Sequence, residues 1–241
     1  MEINDIYIKA RNLRINREFE KAYSLIMSET SKQEGFTGLA WEHQPIFWYE
    51  IEAGICKLTR RNSGDTAFIQ ELWRNEDFMY SFHRHASVIK KTKEELEEIL
   101  EREFISTVVE SKSLHWIVRD KESKPWGILS LTEISLTHKR AEVMLGILPN
   151  SPKGLSIAAM LIIFQFYFKG MKFNKLYAYI YDNNLHSLKS TLHLGFKEEG
   201  CLRKHVFDPK LNKYVDLIQT SILAEDAFNP MAKRLMQRLL S

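Results

Sequence analysis

The sequence has few of the residues that mark disulfide-rich, membrane-spanning or nucleic-acid-binding proteins. It contains only two cysteines, Cys56 and Cys201, and they are far apart, which predicts a reducing compartment and at most one disulfide. The longest apolar run, 155–168, is too short for a bilayer span and contains Gln165, so it predicts a buried helix. The net charge of +3, from 34 basic and 31 acidic residues, provides no basic arm for nucleic acid. Because the start also has no signal-peptide pattern, we expect a cytoplasmic protein with neither membrane nor nucleic-acid partners.

The composition is that of a globular protein, with 44% apolar and 27% charged residues in a chain of 241. Hydrophobic periodicity predicts an amphipathic helix over about the first thirty residues. The segment 31–53 is interrupted by glycines and rich in aromatic residues, among them Trp41 and Trp48. We expect it to pack the N-terminal helix onto the main domain; the alternative is that it lines a substrate pocket.

From residue 54 onward the predicted order of elements is β, α, α, β, β, β, α, β, α, β, β. Such an order indicates the α/β class, as a mixed α+β sheet covered by helices. A capping box of Thr92 and Glu95 predicts a helix start, and Asn229 followed by Pro230 predicts the start of a final helix. We therefore divide the chain into an N-terminal extension (1–53), a main domain (54–224) and a C-terminal helix (225–241).

The segment 140–168 predicts a strand, a tight loop and an apolar helix. Unpaired N–H groups at a helix start, together with the helix dipole, favour bound anions. The loop places the cation of Lys153 and the small residues Gly154, Ser156 and Ala158 at that start. The pattern therefore indicates a phosphate-binding loop, although the same residues also suit a plain helix cap.

Three segments in this order resemble the GNAT acyltransferase superfamily, and within it the RimJ/RimL-like branch. Residues 141–149 and 153–158 are similar to its strand and pyrophosphate loop, where the family pattern RGxGIG is replaced by KGLSIA. Residues 182–187, with Gly195 and Phe196 further on, resemble its D-N-x-x-S…GF helix. Residues 199–203 and 214–216 resemble its EGxLR…D ending.

The resemblance implies the GNAT acyl-CoA N-acyltransferase fold, with the N-terminal extension and C-terminal helix added to it. It also implies acetyl transfer from acetyl-CoA to a primary amine by direct attack, without a metal. A backbone N–H of the splayed strand would bind the thioester oxygen, as an oxyanion donor. The coenzyme would contact residues of the strand, the loop and the following helix: Leu145, Gly146, Ile147, Lys153, Gly154, Leu155, Ser156, Ile157, Ala158, Asn184 and Ser187.

The resemblance further implies catalytic roles for Glu142 and Ser187. Glu142 would accept the proton of the incoming ammonium, directly or through a water, and Ser187 would protonate the departing thiolate. The alternatives are a solvated strand residue for Glu142, and helix-capping groups for Ser187 and Asn184. Two residues depart from the family pattern, since Ser156 replaces a glycine and Lys153 replaces an arginine or glutamine.

The acceptor side is less defined by sequence. Phe82, His83 and Arg84 occur where the family's early helices border the acceptor groove, so we expect them to contact the substrate. His83 and His85 have the spacing of a metal pair but lack a third ligand, and we expect no metal. A small amine is the favoured acceptor; the alternatives are a protein N-terminus, an acyl-carrier-protein donor, and a non-catalytic acyl-CoA-binding module. A homodimer is an open alternative for the assembly.

Overall fold

In the computed structural model, the described residues are 3–30, 37–83 and 91–241. The predicted N-terminal helix is in fact two helices, α1 (Ile3–Ile15) and α2 (Phe19–Thr30). Arg17 lies between them with a φ of 59°, a left-handed conformation that ends a helix. The short helix α3 (Thr37–Glu42) follows, and then β1 (Ile51–Ala53) and β2 (Cys56–Arg60).

Four helices precede the central strands: α4 (Thr66–Arg74), α5 (Glu76–Phe82), α6 (Lys93–Ile105) and α7 (Val108–Ser111). The capping box of Thr92 and Glu95 starts α6, as the sequence predicts. The sequence showed no period over α5, yet Asn75 caps that helix by accepting a hydrogen bond from the Phe78 N–H.

The rest of the chain alternates between strands and helices. Its elements are β3 (Leu114–Asp120), β4 (Pro125–Ser135), β5 (Arg140–Ile147), α8 (Leu155–Phe164), β6 (Lys175–Tyr181), α9 (Leu185–His193), β7 (Lys197–Asp208), β8 (Lys213–Leu223) and α10 (Pro230–Leu239). A π-helical turn, Gln165–Gly170, extends α8. Asn229 caps α10 through the Ala232 N–H, as its sequence predicts.

Within the described residues, eight strands form one mixed sheet in the order β1-β2-β3-β4-β5-β6-β8-β7. Every neighbouring pair is antiparallel except β5 and β6, which are parallel. This mixed sheet with its helices confirms the expected fold class. None of the helices in the described ranges is both long and apolar enough to cross a bilayer.

The main core lies between the sheet and α8. Helix α8 is buried over most of its length. The N-terminal helices reach this core through aromatic contacts. Phe19 of α2 stacks on Trp48 with ring centroids 4.9 Å apart, and Trp41 stacks on Phe173 at 6.1 Å. A second cluster lies on the opposite face of the sheet, where α4, α5 and α6 pack on β3 and β4.

A buried polar network also joins the N-terminal helices to the main domain. Arg14, only 1% exposed, donates to the Ile105 carbonyl at 2.9 Å and to Glu110 at 3.1 Å, and it contacts His43. Burial lowers the pKa of His43 to about 4, so this imidazole is neutral at pH 7. The guanidinium of Arg14 therefore has a carboxylate and neutral acceptors as partners.

Candidate active site

The sheet opens between β5 and β6. These strands pair only over Arg140–Glu142 and Lys175–Tyr177. Beyond that point β5 pairs with β4 alone and β6 with β8 alone. The two strands therefore diverge after Glu142 and Tyr177, and the space between their carboxyl ends is here called the cleft.

Backbone N–H groups of β5 face this cleft at every second residue. The Leu148 N–H donates to the Trp126 carbonyl of β4 at 2.8 Å, so even-numbered residues of this stretch face β4 and odd-numbered ones face the cleft. Leu145 and Ile147 therefore offer N–H groups to a ligand in the cleft. The N–H of Gly146 points to β4 instead, and a contact of Gly146 with the coenzyme stays a prediction.

The two faces of β5 are covered by different helices. Ala141 and Val143 are buried in the core against α8, so Glu142 and Gly146 face the opposite side of the sheet. There Phe78 and Phe82 of α5 lie so close to Gly146 that an added Cβ would be 2.7 Å from each ring. The cleft therefore has an α8 side and an α5 side, and the carboxylate of Glu142 is on the α5 side.

Glu142 stands at the narrow end of the cleft, where β5 and β6 last pair. It is half-buried, and its Oε2 accepts a hydrogen bond from Thr132 Oγ1 at 3.2 Å. Burial raises the pKa of Glu142; the Thr132 hydroxyl opposes that rise and the charge of Glu133 adds to it. A carboxylate with a raised pKa is a stronger base than an exposed glutamate, and so is better suited to accept a proton from an amine.

Two residues beside Glu142 were missed by the sequence analysis. Tyr177 is directly opposite Glu142 in the β5–β6 register, and its hydroxyl donates to Glu133 Oε2 at 2.6 Å. Burial, together with this bond to Glu133, raises the pKa of Tyr177 above its usual range. Glu133 sits at an irregularity of β4 with a φ of 50°. The aromatic alternation of β6 was visible in the sequence, but its pairing with Glu142 was not.

The start of α8 offers fewer free donors than expected. Gly154 precedes the helix with a φ of 88°, a conformation suited to glycine. The Leu155 N–H donates to the Pro152 carbonyl at 3.1 Å and the Ala158 N–H to the Gly154 carbonyl at 2.9 Å. Both N–H groups therefore have backbone partners, and contacts of Leu155 and Ala158 with a coenzyme stay predictions.

Two donors of that helix start remain, the N–H groups of Ser156 and Ile157, which have no backbone partner in the described part of the chain. No side chain caps the helix, and Lys153 and Ser156 are exposed. A phosphate group of a coenzyme fits this helix start, because two N–H groups point outward, the positive end of the helix dipole lies there, and the Lys153 ammonium is nearby.

Asn184 and Ser187 meet at the start of α9. Asn184 Oδ1 accepts from the Ser187 N–H at 3.2 Å, so Asn184 is the cap of this helix. Ser187 is half-buried. Leu194, directly after α9, belongs to the core beside α8, and α9 therefore lies on the α8 side of the sheet. Coenzyme contacts for both residues stay predictions.

Of the three residues expected to contact the acceptor, the structure describes Phe82 and His83. Phe82 is half-buried, stacks on Phe78 with ring centroids 5.5 Å apart, and covers Gly146 on the α5 side. His83 follows α5 and is exposed. Arg84 and His85 lie outside the described residues. In the residues that are described, no group of three or more His, Cys, Asp or Glu side chains is arranged around a common metal position.

The sequence profile of the acetyltransferase (GNAT) domain family matches residues 57–197, more than half of the chain. The chain belongs to the GNAT acetyltransferase family. It is an N-acetyltransferase of the GNAT type, and the prediction of that family and class of enzyme is confirmed. A comparison with curated protein sequences finds no match.

Solved structures share the fold of this GNAT chain. One is a spermidine N-acetyltransferase from Vibrio cholerae in complex with CoA and spermine, with a TM-score of 0.63 and 24% identity over 72% of this chain and 98% of that chain. Another is the spermidine/spermine N-acetyltransferase SpeG from Vibrio cholerae in complex with manganese ions. Its TM-score is 0.59, at 23% identity over 73% of this chain and 96% of that chain. At these identities the likeness shows the fold alone.

Proposed function

We propose that the chain transfers the acetyl group of acetyl-CoA to a primary amine, with a small molecule as acceptor, by direct attack in a ternary complex. The observation that carries this proposal is the cleft between β5 and β6. A half-buried carboxylate, Glu142, faces its α5 side, and the free N–H groups of Ser156 and Ile157 lie at the helix that covers its α8 side. Donor and acceptor would therefore approach the cleft from opposite faces.

Acetyl-CoA would bind along the α8 side. The N–H groups of Ser156 and Ile157 and the ammonium of Lys153 would hold the pyrophosphate. The N–H groups of Leu145 or Ile147, which face the cleft, would donate to the thioester oxygen as negative charge develops there. Asn184 and Ser187 at the start of α9 would border the pantetheine arm.

The amine would enter from the α5 side, where Phe82 provides an apolar wall. Glu142 would accept the proton of the ammonium, directly or through a water, and the neutral amine nitrogen would attack the carbonyl carbon of the thioester. The carbon–sulfur bond would then break, and Ser187 would donate a proton to the thiolate. The nitrogen would lose its second proton as the amide forms, and that proton would return to Ser187 through water. The raised pKa of Glu142 supports its role as base.

A cationic acceptor is supported by a second carboxylate. Glu133 is exposed near Glu142, and the two are close enough for Glu133 to raise the pKa of Glu142. Solved proteins with this fold include enzymes named for spermidine and spermine. We therefore include polyamines, amino sugars and amino acids among the candidate acceptors.

The finer assignments are proposals of the same kind. We place the chain in the RimJ/RimL-like branch because of the pattern in 182–187 and at Gly195. We propose the domain division 1–53, 54–224 and 225–241, with cytoplasmic location. An acyl-carrier-protein donor, a protein N-terminus as acceptor, and a homodimer remain alternatives.

The test is thiol release from acetyl-CoA over a panel of amines, with Glu142→Gln and Ser187→Ala beside the wild type. Matched controls are Glu122→Gln, an exposed glutamate in the β3–β4 turn, and Ser190→Ala, an exposed serine of the same helix as Ser187. We expect turnover with one class of amine, reduced at least about tenfold in both site variants, and unchanged in both controls.

Turnover that survives both site variants would keep the enzyme and remove the roles given to Glu142 and Ser187. Binding of acetyl-CoA without turnover of any amine would contradict the proposed acceptor chemistry. That result would favour a carrier-bound donor or a non-catalytic acyl-CoA-binding module.

A further inference from the structure

The β7–β8 hairpin extends past the end of β6. Strand β8 pairs with β6 from Leu223 as far as Leu217, opposite Tyr181, the last residue of β6. The next residue, Asp216, accepts a hydrogen bond from the Asp182 N–H, and residues 213–215 pair only with β7. The tip of the hairpin therefore projects beyond the β6 side of the cleft at its open end.

An irregularity gives the hairpin a local bend. The β7–β8 register shifts between Leu202 and Val206, and Lys204 has a φ of 48°. Such bulges bend and twist a strand. The bend allows the tip of the hairpin to reach α5 instead of continuing in the plane of the sheet.

The tip is bonded to α5 through Asp208, which is fully buried. The Tyr80 hydroxyl donates to Asp208 Oδ2 at 2.7 Å. The other oxygen, Oδ1, accepts from the Lys210 N–H at 2.9 Å and the Leu211 N–H at 3.0 Å, which fixes the turn. Lys210 Nζ also lies 4.6 Å from the centre of the Tyr80 ring.

The same helix that holds the hairpin tip also packs on β5. Phe78 and Phe82 of α5 lie against Gly146, on the β5 side of the cleft. The two strands that separate after Glu142 and Tyr177 are thus joined again at their open end. The connection runs from β5 through α5, the Tyr80–Asp208 bond and the hairpin to β8 and β6.

We propose that the Tyr80–Asp208 bond is a clasp that closes the cleft on its α5 side and positions α5 against the acceptor amine. Tyr80 and Asp208 are positioning residues, since neither adjoins Glu142 in the sheet register. This inference rests on the proposed function, because it assigns the α5 side to the amine. The clasp affects the amine and leaves acetyl-CoA, on the α8 side, unaffected.

The test is steady-state kinetics with each substrate varied in turn, on Tyr80→Phe and the wild type. The variant keeps the ring that contacts Lys210 and removes only the hydroxyl. We expect the KM for the amine to rise about tenfold, the effect of removing one hydrogen bond to a buried carboxylate. The KM for acetyl-CoA should stay within about twofold of the wild type, because no coenzyme contact is altered.

Two further variants accompany this measurement. Tyr49→Phe, which removes the hydroxyl of a tyrosine that is 45% exposed, should change neither KM. Asp208→Asn keeps an oxygen for the Lys210 and Leu211 N–H groups while weakening the bond to Tyr80, and should raise the KM for the amine by less than Tyr80→Phe does. Thermal unfolding of each variant shows that it is folded.

An unchanged KM for the amine in an active Tyr80→Phe variant would overturn the clasp and leave the proposed function intact. Parallel changes in both KM values would also overturn it, since they would indicate a general structural role. If the wild type acetylates no amine, the proposed function is wrong and the role of the clasp toward an amine is wrong with it.

Discussion

Replacing Gly146 with alanine adds one methyl group to the face of β5 on which α5 packs. The new Cβ would lie 2.7 Å from Phe78 Cζ and 2.7 Å from Phe82 Cδ2, well inside the separation of about 3.5–4.0 Å at which carbon atoms attract each other. Gly146 does not have a left-handed φ, so alanine can adopt its backbone conformation. Any loss of stability would therefore come from the contact with the two rings. We expect Gly146→Ala to lower the free energy of unfolding by about 1–3 kcal/mol, as overpacked positions do.

The same change should weaken binding of the amine, because the α5 rings must move away from the cleft. Urea denaturation gives the free energy of unfolding, and steady-state kinetics gives the KM for the amine. Gly200→Ala is the matched control, since a Cβ there has no neighbour within 4 Å and its φ is not left-handed. This control should be neutral or stabilising by up to about 1 kcal/mol.

Equal losses of stability in Gly146→Ala and Gly200→Ala would refute the packing argument. A destabilised Gly146→Ala variant with unchanged KM for the amine would refute the assignment of the α5 side to the acceptor. A raised KM for acetyl-CoA with the amine unaffected would reverse the two sides of the cleft.

Three other predictions concern Arg14, Glu142 and Lys153. In a urea titration, Arg14→Ala should lower the free energy of unfolding by about 3–5 kcal/mol, because it leaves a buried network without its cation. Arg17→Ala is the control: the side chain of Arg17, which pairs with Glu101, is 47% exposed, so this variant should lose no more than about 1 kcal/mol. The kcat/KM of the wild type should rise with pH through a pKa above the ordinary glutamate value of about 4.3, since burial raises the pKa of Glu142 and only its ionised form is a base. The same rise of kcat/KM with pH in Glu142→Gln would contradict the assignment. Lys153→Ala should raise the KM for acetyl-CoA by an amount that shrinks in about 0.5 M salt, whereas Lys121→Ala, an exposed lysine of the β3–β4 turn, should have no effect.

Much of the sheet could be predicted because its strands carry strong hydrophobic or aromatic alternation. The strand Lys175–Tyr181 has the bounds that the sequence predicts, and Asn229 with Pro230 starts the last helix. The sequence predicts a strand over about 204–207, whereas β7 spans Lys197–Asp208. Most of its residues are exposed, so they show no alternation of buried and exposed positions. The sequence also did not predict α5, because the stretch 78–85 shows no clear helical period.

The candidate site could be predicted only where it depends on local pattern. The capping role of Asn184 and the helix start at Gly154 follow from neighbouring residues. The partners of Glu142 do not, because Tyr177 reaches it only through the pairing of β5 with β6. The bond between Tyr80 and Asp208 joins residues 128 positions apart, a contact that no spacing rule indicates.

The most direct test of the central claim is a two-substrate initial-rate study with acetyl-CoA and the accepted amine, with the acetylated product identified by mass spectrometry. Direct attack in a ternary complex predicts double-reciprocal lines that intersect and an N-acetylated amine in amounts equal to the thiol released. Parallel lines, which are the mark of a covalent acetyl-enzyme, or thiol release without an acetylated amine, would contradict the account.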